Sequence, residues 1–260
     1  MMQYFCLLCI YYTKQIFTNM NRIYKLLSIA FLIITLASAV SCNEGKPSYS
    51  SFVTVLTKDG PGAGNAFNYP YFFVSDDSLK LYPINHADLA NYKPKDNSRA
   101  LVFFYDGGKF EDASTDGSAY NIEIFDLGEI LVKDILFTEK IDTTGINKAS
   151  PLGMWCSGGI YGAERVVNIK FEYLASQYSK KTHTINLVQD LKSETPVVDK
   201  DGYYCLEFRH NANQEIYDGF SAYGYVSFPL TGEMIKENVI GLKIKFPTIN
   251  DGDKEYKVKY

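Results

Sequence analysis

Lys254-Glu255-Tyr256-Lys257-Val258-Lys259-Tyr260 alternates without a break, with Tyr256, Val258 and Tyr260 on one side and lysines on the other. Successive side chains of an extended chain point to opposite faces, so this pattern predicts a strand with one face in a core and one in water. Tyr204-Cys205-Leu206-Glu207-Phe208-Arg209 behaves the same way. Leu206 and Phe208 take the apolar face, and Cys205, Glu207 and Arg209 take the other. The same period recurs outward along the chain, rich in Tyr, Phe, Val and Ile and broken by turn residues about every ten positions. Strands are expected over 52–57, 69–74, 79–83, 99–105 and 119–125 in the first half. In the second half they are expected over 165–173, 182–188, 203–210, 222–228, 239–246 and 255–260. No stretch carries a long apolar repeat of 3.6 residues with caps. The nearest is 126–137, and Gly128 weakens it.

The fold class is therefore all-β. The pattern breaks over Thr138 to Pro151, where Glu139-Lys140-Ile141-Asp142-Thr143-Thr144-Gly145 is polar and aperiodic. Five strands before the break suggest a small closed barrel over 47–138, and the strands after it a β-sandwich over 139–260.

The first 41 residues read as a leader. Met20-Asn21-Arg22-Ile23-Tyr24-Lys25 is a short basic segment, and Leu26 to Ala37 is apolar but shorter than the ~20 residues of a spanning helix. Ala37-Ser38-Ala39-Val40-Ser41 then places small side chains before Cys42, the pattern of a lipoprotein signal. Ala39 stands where such motifs usually carry Leu. Cys42 is expected to be the acylated N-terminus of a membrane-anchored protein; the alternative is an ordinary cleaved signal with Cys42 free. Residues 1–19 fit no part of this leader, and translation is expected to start at Met20, so the spacing of Cys6 and Cys9 carries no redox or metal reading. Cleavage removes three bases, Lys14, Arg22 and Lys25, and no acid, which takes the formal charge from −4 to −7. An acidic exported protein lacks the basic face that a nucleic-acid partner needs. Cys156 and Cys205 are expected as two free thiols, since Cys205 lies on the polar face of its strand.

Several pieces together resemble the NigD-like lipoproteins of Bacteroidetes. They are Tyr92-Lys93-Pro94-Lys95-Asp96 before the strand at Arg99, and Leu206-Glu207-Phe208-Arg209-His210-Asn211-Ala212 followed by Tyr217-Asp218-Gly219. Leu242-Lys243-Ile244-Lys245-Phe246 followed by Asp251-Gly252-Asp253-Lys254-Glu255-Tyr256 adds to them. The resemblance covers nearly the whole mature chain. It implies an N-terminal OB-like barrel and a C-terminal β-sandwich behind a lipid anchor in the cell envelope, outer membrane included, and a link to bacteriocin immunity. It implies no catalytic residue.

The remaining motifs point to structure more than to chemistry. Asp112, Ser114, Asp116, Gly117 and Glu123 have calcium-loop spacing, but strand and turn signals flank them where an EF-hand needs helices, so an acidic hairpin is expected. Asn250-Asp251-Gly252-Asp253 signals a type I′ hairpin. Gly60-Pro61-Gly62-Ala63-Gly64-Asn65 lacks the Lys-Ser/Thr of a phosphate loop. His86, His183 and His210 lack metal spacing, so no metal site and no cofactor are expected. His210-Asn211 ends a strand, where it is expected to pin the following loop. Asp77-Ser78-Leu79 and Asp142-Thr143-Thr144 resemble the general O-glycosylation sequon of Bacteroidetes, which marks Thr143 and Ser78 as candidate modified residues.

Three functions remain in order. The first is a non-catalytic lipoprotein that binds a protein or toxin. The second is a glycan-binding accessory lipoprotein, for which the 21 tyrosines supply rings. The third is an enzyme. An aromatic ladder along a groove would favour glycan, a flat apolar patch protein, and converging carboxylates in a cleft an enzyme.

Overall fold

The computed structural model describes residues 46–57, 69–89, 92–109, 119–179 and 181–260. Cys42, the glycine-rich loop at Gly60 and the acidic stretch at Asp112 to Gly117 lie outside them. The described chain is all-β, with two short 3-10 turns at His86–Leu89 and Ile141–Thr144. No helix among the described residues is long and apolar enough to cross a membrane.

Five strands form the N-terminal barrel: β1 (Ser48–Thr57), β2 (Tyr71–Ser75), β3 (Lys80–Pro83), β4 (Arg99–Lys109) and β5 (Ala119–Val132). Antiparallel pairing links β3, β2, β1, β4 and β5 in that order, and β3 then pairs in parallel with β5 to close the ring. This is the small closed barrel that the strand pattern suggests, of the OB-like type that the resemblance implies. Val53, Val55, Phe73, Val102, Ile122 and Ile124 fill its interior. The apolar run at β2 is explained by burial on both faces. Tyr71 and Phe73 point into the barrel, while Phe72 and Val74 pack outward beneath Ala163 and Ile160.

The sandwich contains β6 (Leu136–Thr138), β7 (Ala149–Ser157), β8 (Val166–Ala175), β9 (Thr184–Asp190), β10 (Tyr203–Asn211), β11 (Phe220–Pro229), β12 (Gly241–Thr248) and β13 (Gly252–Lys259). One of its sheets runs β13-β12-β10-β9-β6. The other, β11-β8-β7, continues the barrel sheet, because β5 pairs with β11 at Leu131 and Val132. Val167, Ile169, Leu206, Phe208, Val226, Phe228, Ile244 and Phe246 form the core between them. Tyr256 and Val258 face this core, as their alternation predicts.

The stretch 138–151, where the strand pattern breaks, is built into the fold. It holds the end of β6, the 3-10 turn and the start of β7. The stretch 126–132, which had the nearest approach to a helical pattern, belongs to β5. The Asp-Gly hairpin forms between β12 and β13, but Thr248 pairs with Gly252, so the loop has three residues where a type I′ turn has two. Gly252 takes φ +71° there.

A buried polar knot joins barrel to sandwich. The Arg99 side chain is 0% exposed and pairs with Asp76 at 2.7 Å. It also donates to the Thr54 hydroxyl at 3.0 Å and to Asn168 Oδ1 at 3.1 Å. Asp76 accepts the Trp155 indole N–H at 2.5 Å. Asn168 in turn accepts from the Ser227 hydroxyl and donates to the Ser157 hydroxyl. A charge taken this far from water is tolerated only when paired and hydrogen-bonded, so the knot fixes one docking of the two halves.

Candidate functional site

Two regions carry candidate chemistry. The first is a cleft of about 480 Å³ at one end of the sandwich, walled by Phe171, Tyr173, Phe220, Ala222 and Gly224. Two of its lining residues, His183 and Glu215, meet the buried His210 beneath it. Antiparallel pairing of β9 with β10 sets His210 across from Ile185, two residues after His183. His183 Nδ1 and His210 Nε2 are 2.8 Å apart, and their rings stack at 4.9 Å. His183 Nε2 lies 2.8 Å from Glu215 Oε2, in the loop after β10. His210 Nδ1 faces the Lys148 carbonyl at 3.2 Å. Tyr173 packs its ring against both imidazoles.

The partners dictate the protons. A carbonyl only accepts, so His210 Nδ1 carries hydrogen. Burial drives the pKa of His210 down to about 4, so it is neutral and Nε2 accepts from His183 Nδ1–H. The Ser179 hydroxyl, followed by His183 and the Ser176 amide, holds the Glu215 carboxyl below its usual range, so it accepts as well. His183 therefore bridges the neutral His210 imidazole and the Glu215 carboxylate. The chain of three ends on a backbone carbonyl, where a nucleophilic relay needs a hydroxyl or thiol. The nearby Ser176 hydroxyl donates to Asp218 at 2.7 Å and takes no part in it.

What the arrangement does is hold a loop. Glu215 accepts the Ser176 amide at 2.9 Å, Asp218 accepts the Gln177 amide at 3.1 Å, and Asn213 donates to the Thr182 carbonyl. His210 pins this region, as expected, but through a side-chain chain as well as a backbone bond. The clamped loops display Tyr178, Ile216 and Tyr217 to solvent.

The second region is the outer face of the barrel on β1, β4 and β5. Pairing aligns Phe52 with Leu101, Leu101 with Gly128, and Phe103 with Asp126. Phe52 packs on Trp155 at 5.0 Å and on Tyr225 at 5.3 Å, at the edge of the sandwich. Farther out, Phe125 lies 4.8 Å from Tyr105 and 6.3 Å from Phe103, and it is half exposed. This surface is the outward face of a closed sheet.

The other candidates stay apart. His86 faces the Pro83 carbonyl and packs edge-on to Tyr69 in the barrel. Cys156 on β7 and Cys205 on β10 are both free, and burial pushes the Cys156 thiol up to about 12. Cys205 lines a groove of about 400 Å³ with Lys243, Lys245, Asp253 and Glu255, whose charges pair with one another. Ser78 is exposed in the β2–β3 turn with φ 68°. Thr143 is exposed too, and its hydroxyl donates to the Lys140 carbonyl at 2.8 Å. Among the described residues no group of three or more His, Cys, Asp or Glu side chains is placed to hold a metal ion.

The sequence treated His183 and His210 as separate residues and gave Glu215 no role. The usable signal was the spacing of the two strands, which becomes informative once β9 and β10 are paired. The outer aromatic face was legible in Phe103-Phe104-Tyr105, three rings in a row that no single face of a strand can bury.

Comparison with known proteins follows this division. Residues 53–130 match the NigD-like N-terminal OB domain, and residues 138–260 match the NigD-like C-terminal beta sandwich domain. No curated protein matches the chain. A protein of unknown function from Bacteroides vulgatus has a similar structure, with TM-score 0.59 at 23% identity over 82% of this chain and 91% of that one. A candidate lipoprotein from Bacteroides fragilis gives 0.52 at 12% identity, covering 82% and 98%. A NigD-like immunity protein from Bacteroides caccae gives 0.52 at 16% identity, covering 80% and 91%. At these identities the likeness is one of fold.

Proposed function

Because the chain belongs to the NigD-like family, we propose that it is a non-catalytic envelope lipoprotein that binds a protein partner, a toxin among the candidates, on its folded surface. In this reading a signal peptide ends at residue 41 and Cys42 carries the lipid at the outer membrane. The barrel spans 47–138 and the sandwich 139–260. Thr143 and Ser78 are the candidate glycosylated residues. The similarity of fold to a NigD-like immunity protein supports a role in self-protection.

One observation carries the binding reading. On the outer face of the barrel an aromatic cluster stays open to solvent, with Phe125 half exposed beside Phe103 and Tyr105, the kind of apolar patch that meets another protein. The sandwich cleft argues in the same direction, because its imidazoles and carboxylate satisfy one another. A second reading, glycan binding, draws on the aromatic cleft walls Tyr173 and Phe220. Tagged full-length protein should retain a specific envelope or secreted protein in pull-downs, and deleting the gene should sensitise cells to a competitor's toxin. Turnover of a glycan, peptide or ester that disappears on Glu215→Gln would reject the binding reading. Saturable glycan binding lost on Phe220→Ala would favour the second one.

A further inference from the structure

We infer that the outer face of β1, β4 and β5 around Phe125 docks a basic, arginine-containing polypeptide segment. The inference rests on the protein-binding reading above and names the chemistry of the partner.

The argument starts from an irregularity in the strand pairing. Phe103 pairs with Asp126 and Phe104 with Ile124, so Phe125 has no residue opposite it. It is the extra residue of a β-bulge. A bulge re-aims side chains, and natural strands place bulges where a surface has to be shaped. Strict alternation would send Phe125 and Asp126 to opposite faces. Here Ile124 is buried in the barrel and Leu127 packs against the same core, while Phe125 and Asp126 are both exposed. The bulge thus lays a half-exposed ring beside a carboxylate on one surface.

That pairing suits a guanidinium. Asp126 uses Oδ1 on the Leu127 amide at 2.9 Å, and among the described residues it meets no cation. The face of Phe125, flanked by Tyr105 and Phe103, offers π density to the same group. A planar cation can stack on a ring while its N–H groups reach a carboxylate, which an ammonium does less well. Beside Leu101, the position of a Cβ on Gly128 would have nothing within 4 Å. That opening accepts an apolar side chain next to the charged one. Charge complementarity also holds for the whole molecule, since the mature chain is formally −7, three bases fewer than the −4 of the complete sequence. An acidic protein draws a basic partner from a distance and repels an anionic bilayer.

The test uses full-length protein in detergent and two labelled twelve-residue peptides, one alternating Arg and Leu and the other Asp and Leu. The single tryptophan, Trp155, packs on Phe52 at the inner end of the face and supplies an intrinsic reporter. The arginine peptide should bind saturably and more weakly as salt rises, and the aspartate peptide should not bind. Phe125→Ala should weaken binding about tenfold and Asp126→Asn about fivefold, with melting temperatures unchanged. Equal binding of the two peptides, no binding of the arginine peptide, or indifference to both substitutions overturns the proposal. So does Phe125-dependent binding to phosphatidylcholine vesicles without peptide binding, which would make the face a lipid contact. Concentration-dependent dimerisation lost on Phe125→Ala would assign the face to a second copy and overturn it as well. If a captured partner is retained by both variants, the binding reading survives and this face is rejected. Capture of nothing, together with substrate turnover, rejects the binding reading itself.

Discussion

The floor of the sandwich cleft and the outer face of the barrel are opposites. In the cleft the polar groups are consumed: the Lys148 carbonyl, His210, His183 and Glu215 form one closed series of donors and acceptors. On the barrel, Phe125 and Asp126 are turned outward to solvent, and Asp126 accepts only the neighbouring Leu127 amide among the described residues. The cleft has the residue types that suggest catalysis, yet its geometry is that of a clasp. The barrel face has no motif that suggests function, yet it carries the unexplained surface. Residue type alone points to the cleft, and the geometry points away from it.

Both regions share the Arg99 knot, so its loss gives the largest expected effect. Arg99→Ala leaves Asp76 buried without its cation and should cost about 3–5 kcal/mol, read as a fall in the denaturation midpoint. A variant that melts normally would show that barrel and sandwich do not depend on this pairing.

Acidification should separate the two regions next. The pKa of His210 is lowered by burial to about 4, from an ordinary value of 6.5. Between those values the unfolded chain binds the proton and the folded chain does not. Stability is therefore complete above pH 6.5 and is lost as pH falls toward 4, by about 3 kcal/mol in all. Glu215, whose pKa is also lowered, adds a loss of the same sign at the acid end. His183, Glu215 and Tyr173 are the titratable groups packed around His210. Denaturant titrations at pH 7 and pH 4.5 should show the decline, and His210→Gln should flatten it. A flat wild-type profile would mean that the clasp is absent in solution.

A smaller effect is expected at the cleft wall. A Cβ on Gly224 would come 2.6 Å from the Phe171 ring, so Gly224→Ala must displace that ring. Overpacking of this kind costs about 1–3 kcal/mol. Phe125→Ala should change stability least, within about 0.5 kcal/mol, because the ring is half exposed.

Much of the fold could be read from alternation wherever one face of a strand is buried. Leu206, Phe208, Tyr256 and Val258 all turn inward as their period requires. The failures share a cause. β7 carries Pro151 and Gly153, residues that demote a strand reading, but it is the last strand of its sheet and is bulged between those two positions. Edge strands tolerate both features. β5 runs to Val132, beyond the end expected at Phe125, because the bulge there resets the alternation. The clasp was illegible for a different reason. His183, His210 and Glu215 are brought together by pairing and by a loop return, and neither leaves a local pattern. Cys42 and the loop at Asp112 lie outside the described residues, so the anchor rests on the sequence alone.

The proposal places binding on the barrel face and gives the sandwich clasp a supporting role only. It is tested most directly by measuring partner capture per folded molecule for Phe125→Ala and His183→Ala, beside wild type, with melting curves for all three. Phe125→Ala should melt like wild type and lose capture. His183→Ala should melt lower and keep capture at a temperature where it remains folded. The reverse result, with capture lost in folded His183→Ala and intact in Phe125→Ala, would place the function in the cleft and contradict the account.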